Sequence, residues 1–285
     1  MKKIGVLAVA LVTAFLLVGA ANAEMYVEGY LGGTAAANMG QALTIKDIPG
    51  AGINGVTQDN HLQFPGTSDA TVLGGLKLGT WFVKEGFAGY SGYPDWMKYF
   101  GFYTDFSYQK LELRSQSISG TTNITVPGAF SFAYPNAGAF TSEGSIVTWA
   151  FMFAGRYGFF PDSEVPFGRL QPYVAVGPAI MFSSMSPKVN TLLVGPPING
   201  FQDSNISGGS QASTNIALAV DAGIRIMALK NVSFDISFKY RYAQPSYTFS
   251  GIDGNNFFGG FPAATFKLNP VYQLFSGQLG VAYHF

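Results

Sequence analysis

A chain of 285 residues with only 11% charged residues, 15% aromatic residues, equal numbers of basic and acidic residues (16 and 16) and no cysteine departs from soluble-protein composition. An ordinary soluble domain carries roughly 25% charged residues to cover its surface. The balanced charge leaves no basic footprint for nucleic acid, and the lack of cysteine excludes disulfides, thiolate metal sites and an acylated lipoprotein cysteine.

Taken in chain order, the first element is an export signal. Lys2 and Lys3 precede an uncharged, mostly apolar stretch over residues 4–20, and Ala21, Asn22 and Ala23 form a small-x-small cleavage signature. Cleavage is expected after Ala23, with residues 1–23 removed and 24–285 forming one domain that begins at Glu24. No later stretch approaches the ~20 consecutive apolar residues of a spanning helix.

Beyond Ala23 the chain is strand after strand with a period of two. Strands are expected at residues 25–33, 71–83, 99–111, 145–158, 170–183, 215–228, 231–246 and 272–285. The segments between them alternate in length. Long ones lie at 34–70, 112–144, 184–214 and 247–271, and shorter ones at 84–98, 159–169 and 229–230. An even number of strands, with short turns at one end and long loops at the other, is the pattern of an up-and-down transmembrane barrel. The fold class expected is therefore all-β: an eight-stranded antiparallel transmembrane β-barrel with long extracellular loops. Within the segment 84–98, a short helix is expected around Asp95, Trp96 and Met97.

The two faces of each strand differ in size as well as polarity. Residues 232, 234, 236, 238, 240 and 242 are bulky and apolar, whereas Ser233, Asp235, Ser237, Lys239 and Arg241 alternate with them. Small polar residues suit the cramped lumen of eight strands, and the bulky face suits lipid. A slip of one residue would put Lys239 or Arg241 into hydrocarbon, at about 2–4 kcal/mol each near the midplane. The same parity gathers Glu28, Lys77, Asp105, Arg156, Asp221, Arg225, Asp235, Lys239 and Arg241 on the inner face. They are expected to form a network of ion pairs that plugs the lumen; the competing reading is a conduction path or gate built from the same pairs. Trp149, Tyr157, Phe100, Phe102, Tyr240, Tyr242, Tyr283 and Phe285 fall on the outer face, as interfacial girdles would.

At this point the chain resembles a family. The segments DAGIR (221–225), NVSFDISFKYR (231–241), QPYVAVGP (171–178) and GVAYHF (280–285) are similar to the small OmpA-like or OmpX-like outer-membrane β-barrel domain. The resemblance covers the chain after residue 23. It implies location in the cell outer membrane, contact with outer-membrane lipid and lipopolysaccharide, and a C-terminal signal at Tyr283 and Phe285 read by the barrel-assembly machinery. No periplasmic peptidoglycan-binding domain is expected to follow the barrel, so peptidoglycan anchoring is not implied, and the loops are longer than in the small adhesin-like members.

No G-x-S-x-G, H-E-x-x-H, P-loop or dinucleotide fingerprint occurs, and no cofactor, metal or catalytic residue is expected. The one cluster to weigh against that is His61 with Asp59, Ser68 and Asp69, since similar barrels include enzymes acting on lipid A. The loops carry Phe130, Phe132, Tyr134 and Phe140, and later Phe257, Phe258, Phe261 and Phe266. They mark either a surface ligand site or strands that run on past the membrane. The expected role is a non-enzymatic structural or surface-interaction barrel, with a narrow porin-like channel as the alternative and a lipid-A-modifying enzyme behind it.

Overall fold

The computed structural model describes residues 24–37, 41–49, 57–64, 66, 68–83, 94–126, 128, 130–193, 204–207, 209–250 and 265–285. The expected signal peptide lies outside them. Among the described residues thirteen strands succeed one another along the chain: β1 (Glu24–Ala37), β2 (Gln41–Pro49), β3 (Thr57–Phe64), β4 (Thr71–Trp81), β5 (Phe100–Val126), β6 (Phe130–Arg156), β7 (Leu170–Leu193), β8 (Ser204–Ser207), β9 (Gln211–Leu229), β10 (Val232–Ala243), β11 (Tyr247–Ser250), β12 (Thr265–Leu268) and β13 (Tyr272–His284). A one-turn 3-10 helix, Asp95–Tyr99, sits where the sequence predicts a short helix.

Eight of these strands close a ring. Antiparallel pairing runs β1–β4–β5–β6–β7–β9–β10–β13 and returns to β1. Every ladder neighbour is thereby satisfied, which is what a sheet needs where no water can serve its edges. The eight strands match the expected ones in order and in position. A two-residue turn at Lys230 and Asn231 joins β9 to β10.

The expected long loops contain more sheet than the sequence suggests. β5 and β6 run 27 residues each, far beyond the ~9–11 that a tilted strand needs to cross a bilayer. The short strands extend the other columns upward. β2 pairs with β12 as β1 pairs with β13, β3 pairs with β5 as β4 does, β11 pairs with β12 as β10 does with β13, and β8 pairs with β7 as β9 does.

The exterior and interior change places along these columns. On β5, Phe102, Phe106 and Tyr108 point outward while Asp105, Ser107 and Gln109 are buried; further along, Lys110, Glu112 and Arg114 point outward while Leu111 and Leu113 are buried. β6 changes between Trp149 outside with Thr148 inside and Glu143 outside with Ile146 and Phe140 inside. On β13 the change falls between Phe275 with Ser276 and Gln273 with Leu274. Phe234, Ile236 and Phe238 are 51%, 54% and 53% exposed while Asp235 and Arg241 are 1% exposed, so the lower barrel is inside-out. The upper interior, with Leu111, Leu113, Ile146, Met181, Met185, Phe249, Tyr272 and Leu274, is a packed apolar core of ordinary kind.

Candidate functional site

The inner face of the lower barrel holds every charge that strand parity gathers there. Glu28, Lys77, Asp105, Arg156, Asp221, Arg225, Asp235, Lys239 and Arg241 are all at most 4% exposed. They fall into layers rather than one cluster.

Lys77 is the hub of the middle layer. Its cross-strand neighbours are Glu28 on β1 and Asp105 on β5. Its ammonium lies 3.0 Å from Glu28 and then reaches across the lumen to Asp221 at 3.3 Å and Asp235 at 3.7 Å. Arg225 binds Glu28 at 2.5 Å and lies 3.5 Å from Asp235. Lys239 faces Asp221 across the ladder, yet its side chain crosses the barrel to Asp105. Parity shows which residues share the lumen; Lys77–Glu28 and Arg225–Asp235 join ladder neighbours, whereas the other pairs are chosen across the axis, where sequence neighbours carry no information.

Tyrosines complete this layer, and the sequence reading missed them. The hydroxyls of Tyr30, Tyr103 and Tyr173 donate to Asp105 (2.6 Å), Asp221 (2.9 Å) and Asp235 (2.8 Å). The Lys77 ammonium lies 5.3 Å from the Tyr30 ring centre and 5.7 Å from those of Tyr103 and Tyr173, and the Arg225 guanidinium lies 4.1 Å from that of Tyr26. Cation–π contacts of this kind gain strength when desolvated. The signal was present: Tyr26 and Tyr30 flank Glu28 at the same parity, and Tyr103 does the same for Asp105. Glycines opposite make the room. A Cβ at Gly79 would stand 2.5 Å from the Tyr26 ring, and one at Gly75 would stand 2.4 Å from the Tyr30 hydroxyl.

Arg241, one layer up, departs from the expected ion pairing. Its guanidinium donates to Ser107 (3.3 Å), Thr148 (3.2 Å), Ser276 (3.0 Å) and Gln109, and among the described residues no carboxylate lies within ion-pair distance of it. Neutral oxygens hold its two terminal nitrogens, and the nearest opposite charges are the carboxylates of the layer below. Above this ring the apolar core begins.

Arg156 belongs to a third layer, the floor. Both terminal nitrogens clamp Glu24, at 2.7 and 2.5 Å, and the guanidinium is sandwiched between Trp81 and Phe167 at 4.2 and 4.0 Å. The sequence reading gives Glu24 as the first residue of the mature chain and not as a lumen ligand. Beside it, Ser233 Oγ lies 2.8 Å from His284 Nε2, and His284 Nδ1 is 3.8 Å from Glu24 Oε1. Hydroxyl, imidazole and carboxylate follow one another as in acyl-transfer sites. Ser233 is fully buried and Glu24 is already held by Arg156, so a substrate carbonyl could reach the hydroxyl only if the floor opened.

Among the described side chains the cluster around His61 does not assemble; the side chain of Asp59 lies outside them. His61 is exposed on β3, the Ser68 hydroxyl exchanges hydrogen bonds with the backbone of Ala36, and Asp69 pairs with Arg114 at 2.5 Å. Among the described residues no group of three or more His, Asp or Glu could hold a metal ion. Of the loop aromatics, Phe140 is buried in the upper core, the side chains of Phe130, Phe132, Tyr134 and Phe266 lie outside the described ones, and Phe257, Phe258 and Phe261 lie outside the described residues. Tyr283 and Phe285 face outward, with ring centres 5.2 Å apart.

No family model and no curated protein matches this chain. Three solved structures are similar in outline. Neisserial surface protein A (NspA) is 11% identical with a TM-score of 0.37, over 92% of this chain and 97% of that one. The outer membrane protein OprG from Pseudomonas aeruginosa is 13% identical with a TM-score of 0.37, over 92% and 96%. The translocator domain of autotransporter NalP from Neisseria meningitidis is 11% identical with a TM-score of 0.24, over 100% and 96%. At such scores the functional reading rests on the chain's own geometry.

Proposed function

We propose that this chain is an integral barrel of the bacterial outer membrane, non-enzymatic, whose lumen is sealed by the charged layers and which serves a structural or surface-interaction role. The observation that carries the reading is the burial of the middle layer: Lys77, Glu28, Asp221 and Asp235 have side chains no more than 1% exposed. A pore through that level would wet them. Ion pairs this dry are held together only when both partners stay, since removing either strands a charge.

The location is supported by the inside-out lower barrel and by the aromatic exterior. It carries with it the expected partners: lipid, lipopolysaccharide, the barrel-assembly machinery acting on Tyr283 and Phe285, and a surface ligand at the loops. OmpA-like or OmpX-like kinship and removal of residues 1–23 belong to the same proposal. Planar-bilayer recording of the purified protein tests the seal. The expected result is no unitary conductance at neutral pH; steady unitary currents would reject the seal in favour of the narrow channel.

A further inference from the structure

Among the described residues, seven of the eight seams in the barrel wall continue from the lower half into the upper one. Above β1–β13 the pairing passes to β2–β12, above β1–β4 to β2–β3, and above β4–β5 to β3–β5. Likewise β10–β13 passes to β11–β12 and β7–β9 to β7–β8, while β5–β6 and β6–β7 run the whole height. The eighth seam stops. The β9–β10 ladder ends at Leu218 and Tyr242, and above it no described ladder joins β9 to β11, although each is paired on its other side.

A proline accounts for the stop. Carried on in the same register, Asn215 would face Pro245, which has no N–H to give a ladder. Residues 244–246 leave strand conformation there. Side chains bridge the split instead: Asn215 Nδ2 donates to the Gln244 carbonyl (2.8 Å), the Ser246 N–H to Ser213 Oγ (3.3 Å), and Ser213 Oγ to Asn215 Oδ1 (2.7 Å). From inside, the Tyr247 hydroxyl donates to Ser183 on β7 (2.7 Å) and lies 2.9 Å from the Tyr272 hydroxyl.

The split joins two apolar regions. Outside, at the height where the exterior turns from apolar to polar, Ile216 is 82% exposed and Leu218 is 48% exposed. Inside, the hydroxyls of Ser183, Tyr247 and Tyr272 stand in the upper core with Met181, Met185, Phe249 and Leu274, all buried. No charged side chain takes part in these contacts. A few converging polar groups in an apolar surround suit an apolar molecule with one polar end, and methionine, unbranched and soft, yields readily to a guest.

We propose that the split between β9 and β11 is a side entrance from the outer leaflet to a binding site in the upper interior. Its guest is an uncharged single-chain amphiphile, whose hydroxyl or carbonyl head meets Tyr247, Tyr272 and Ser183 while its chain lies among Met181, Met185 and Phe249. The Arg241 ring and the Lys77 layer close the lumen beneath, so the guest is held and not passed through. The proposal rests on the membrane-barrel reading above, and its test separates the two. The probe is dodecanol bearing a diazirine in its chain, added to the protein in phosphatidylcholine vesicles, with crosslinked residues read by mass spectrometry. Because the chain has no cysteine, Thr214→Cys with Ser246→Cys, both outward and on opposite sides of the split, staples it when oxidised. The reduced pair should crosslink at Met181, Met185 and Phe249 several-fold more than the oxidised pair. Equal crosslinking in the two states, or none at these residues in either, would overturn the side entrance. With Tyr247→Phe, crosslinking by dodecanol should fall and that by the corresponding alkane should not; an equal response would overturn the head contact. Crosslinks at Phe234, Ile236 and Phe238 are expected throughout, and their absence would instead reject the membrane barrel. Heat-modified gel mobility reports folding; should the cysteine pair fail, Pro245→Val, which returns an N–H to the seam, should cut the same interior crosslinks, and an unchanged yield would overturn the proposal.

Discussion

The lower and upper interiors are enclosed by the same columns of sheet, yet one is filled with ion pairs and the other with Leu, Ile, Met and Phe. Below, the outward positions take the apolar residues and the lumen receives the charges. Above Gln109 on β5, Lys110, Glu112 and Arg114 take the outside and the lumen becomes greasy. The difference teaches that the backbone does not dictate what fills a barrel. A strand alternates; which phase of the alternation is polar is set by the solvent at that height. The height at which the phase flips, between Phe275 and Gln273 on β13 and between Tyr108 and Lys110 on β5, marks where lipid would end.

The contrast can be broken first at its most costly point. Lys77→Met leaves Glu28, Asp221 and Asp235 short of their shared cation, and the expected loss is about 3–5 kcal/mol. Urea unfolding in phospholipid vesicles checks it. Adding Glu28→Gln should restore part of the loss, because one stranded charge is removed with the other. In the apolar half, Met181→Ala should cost about 2–5 kcal/mol through its cavity, with no such rescue from any charge change. A midplane exterior substitution, Phe238→Arg, should cost about 2–4 kcal/mol, whereas Ser186→Arg on the upper exterior should be close to neutral. Equal costs would erase the boundary.

The smallest effect concerns the turn between β6 and β7. The Val165 amide, then the Arg169 side chain, hold the Asp162 carboxyl below its usual range. A depressed carboxyl supports the folded turn above the unfolded-state value and loses that support as pH falls through the folded one. Protection factors at Glu164 and Val165, taken against intrinsic exchange at each pH, should therefore fall in acid, and in Asp162→Asn that fall should be absent. Protection that rises on acidification would contradict the assigned geometry.

Strand order, strand number and the inward parity of Glu28 through Arg241 were legible because period two is a local property. The upper strands were legible only in part: the loop aromatics such as Phe140 offered strands running on past the membrane as one reading. Segments such as Gly120-Thr-Thr-Asn123, Pro135 in β6 and Pro187 in β7 read as loop, since proline seldom sits inside a sheet. Long-range pairing along β5, β6 and β7 overrides that local preference. The lumen tyrosines were hidden for a different reason. An aromatic residue at lumen parity looks like an exception to a small-residue face until Gly75 and Gly79 are seen to clear space for it. Arg241 falls among the ion pairs on parity alone, and only geometry shows its neutral ring. The partnership of Glu24 with Arg156 spans 132 positions, a separation at which pattern has no reach.

The seam between the first and last ring strands sets an order of events. Tyr26 lies beside His284, and Ala37 beside Gln273, so the first ring strand must wait for the eighth before its edge is covered. Until then two unsatisfied borders exist at once, each able to recruit a stranger's strand. Maturation is thus gated by delivery of β13, and a chain lacking that strand would be left as an open, adhesive sheet.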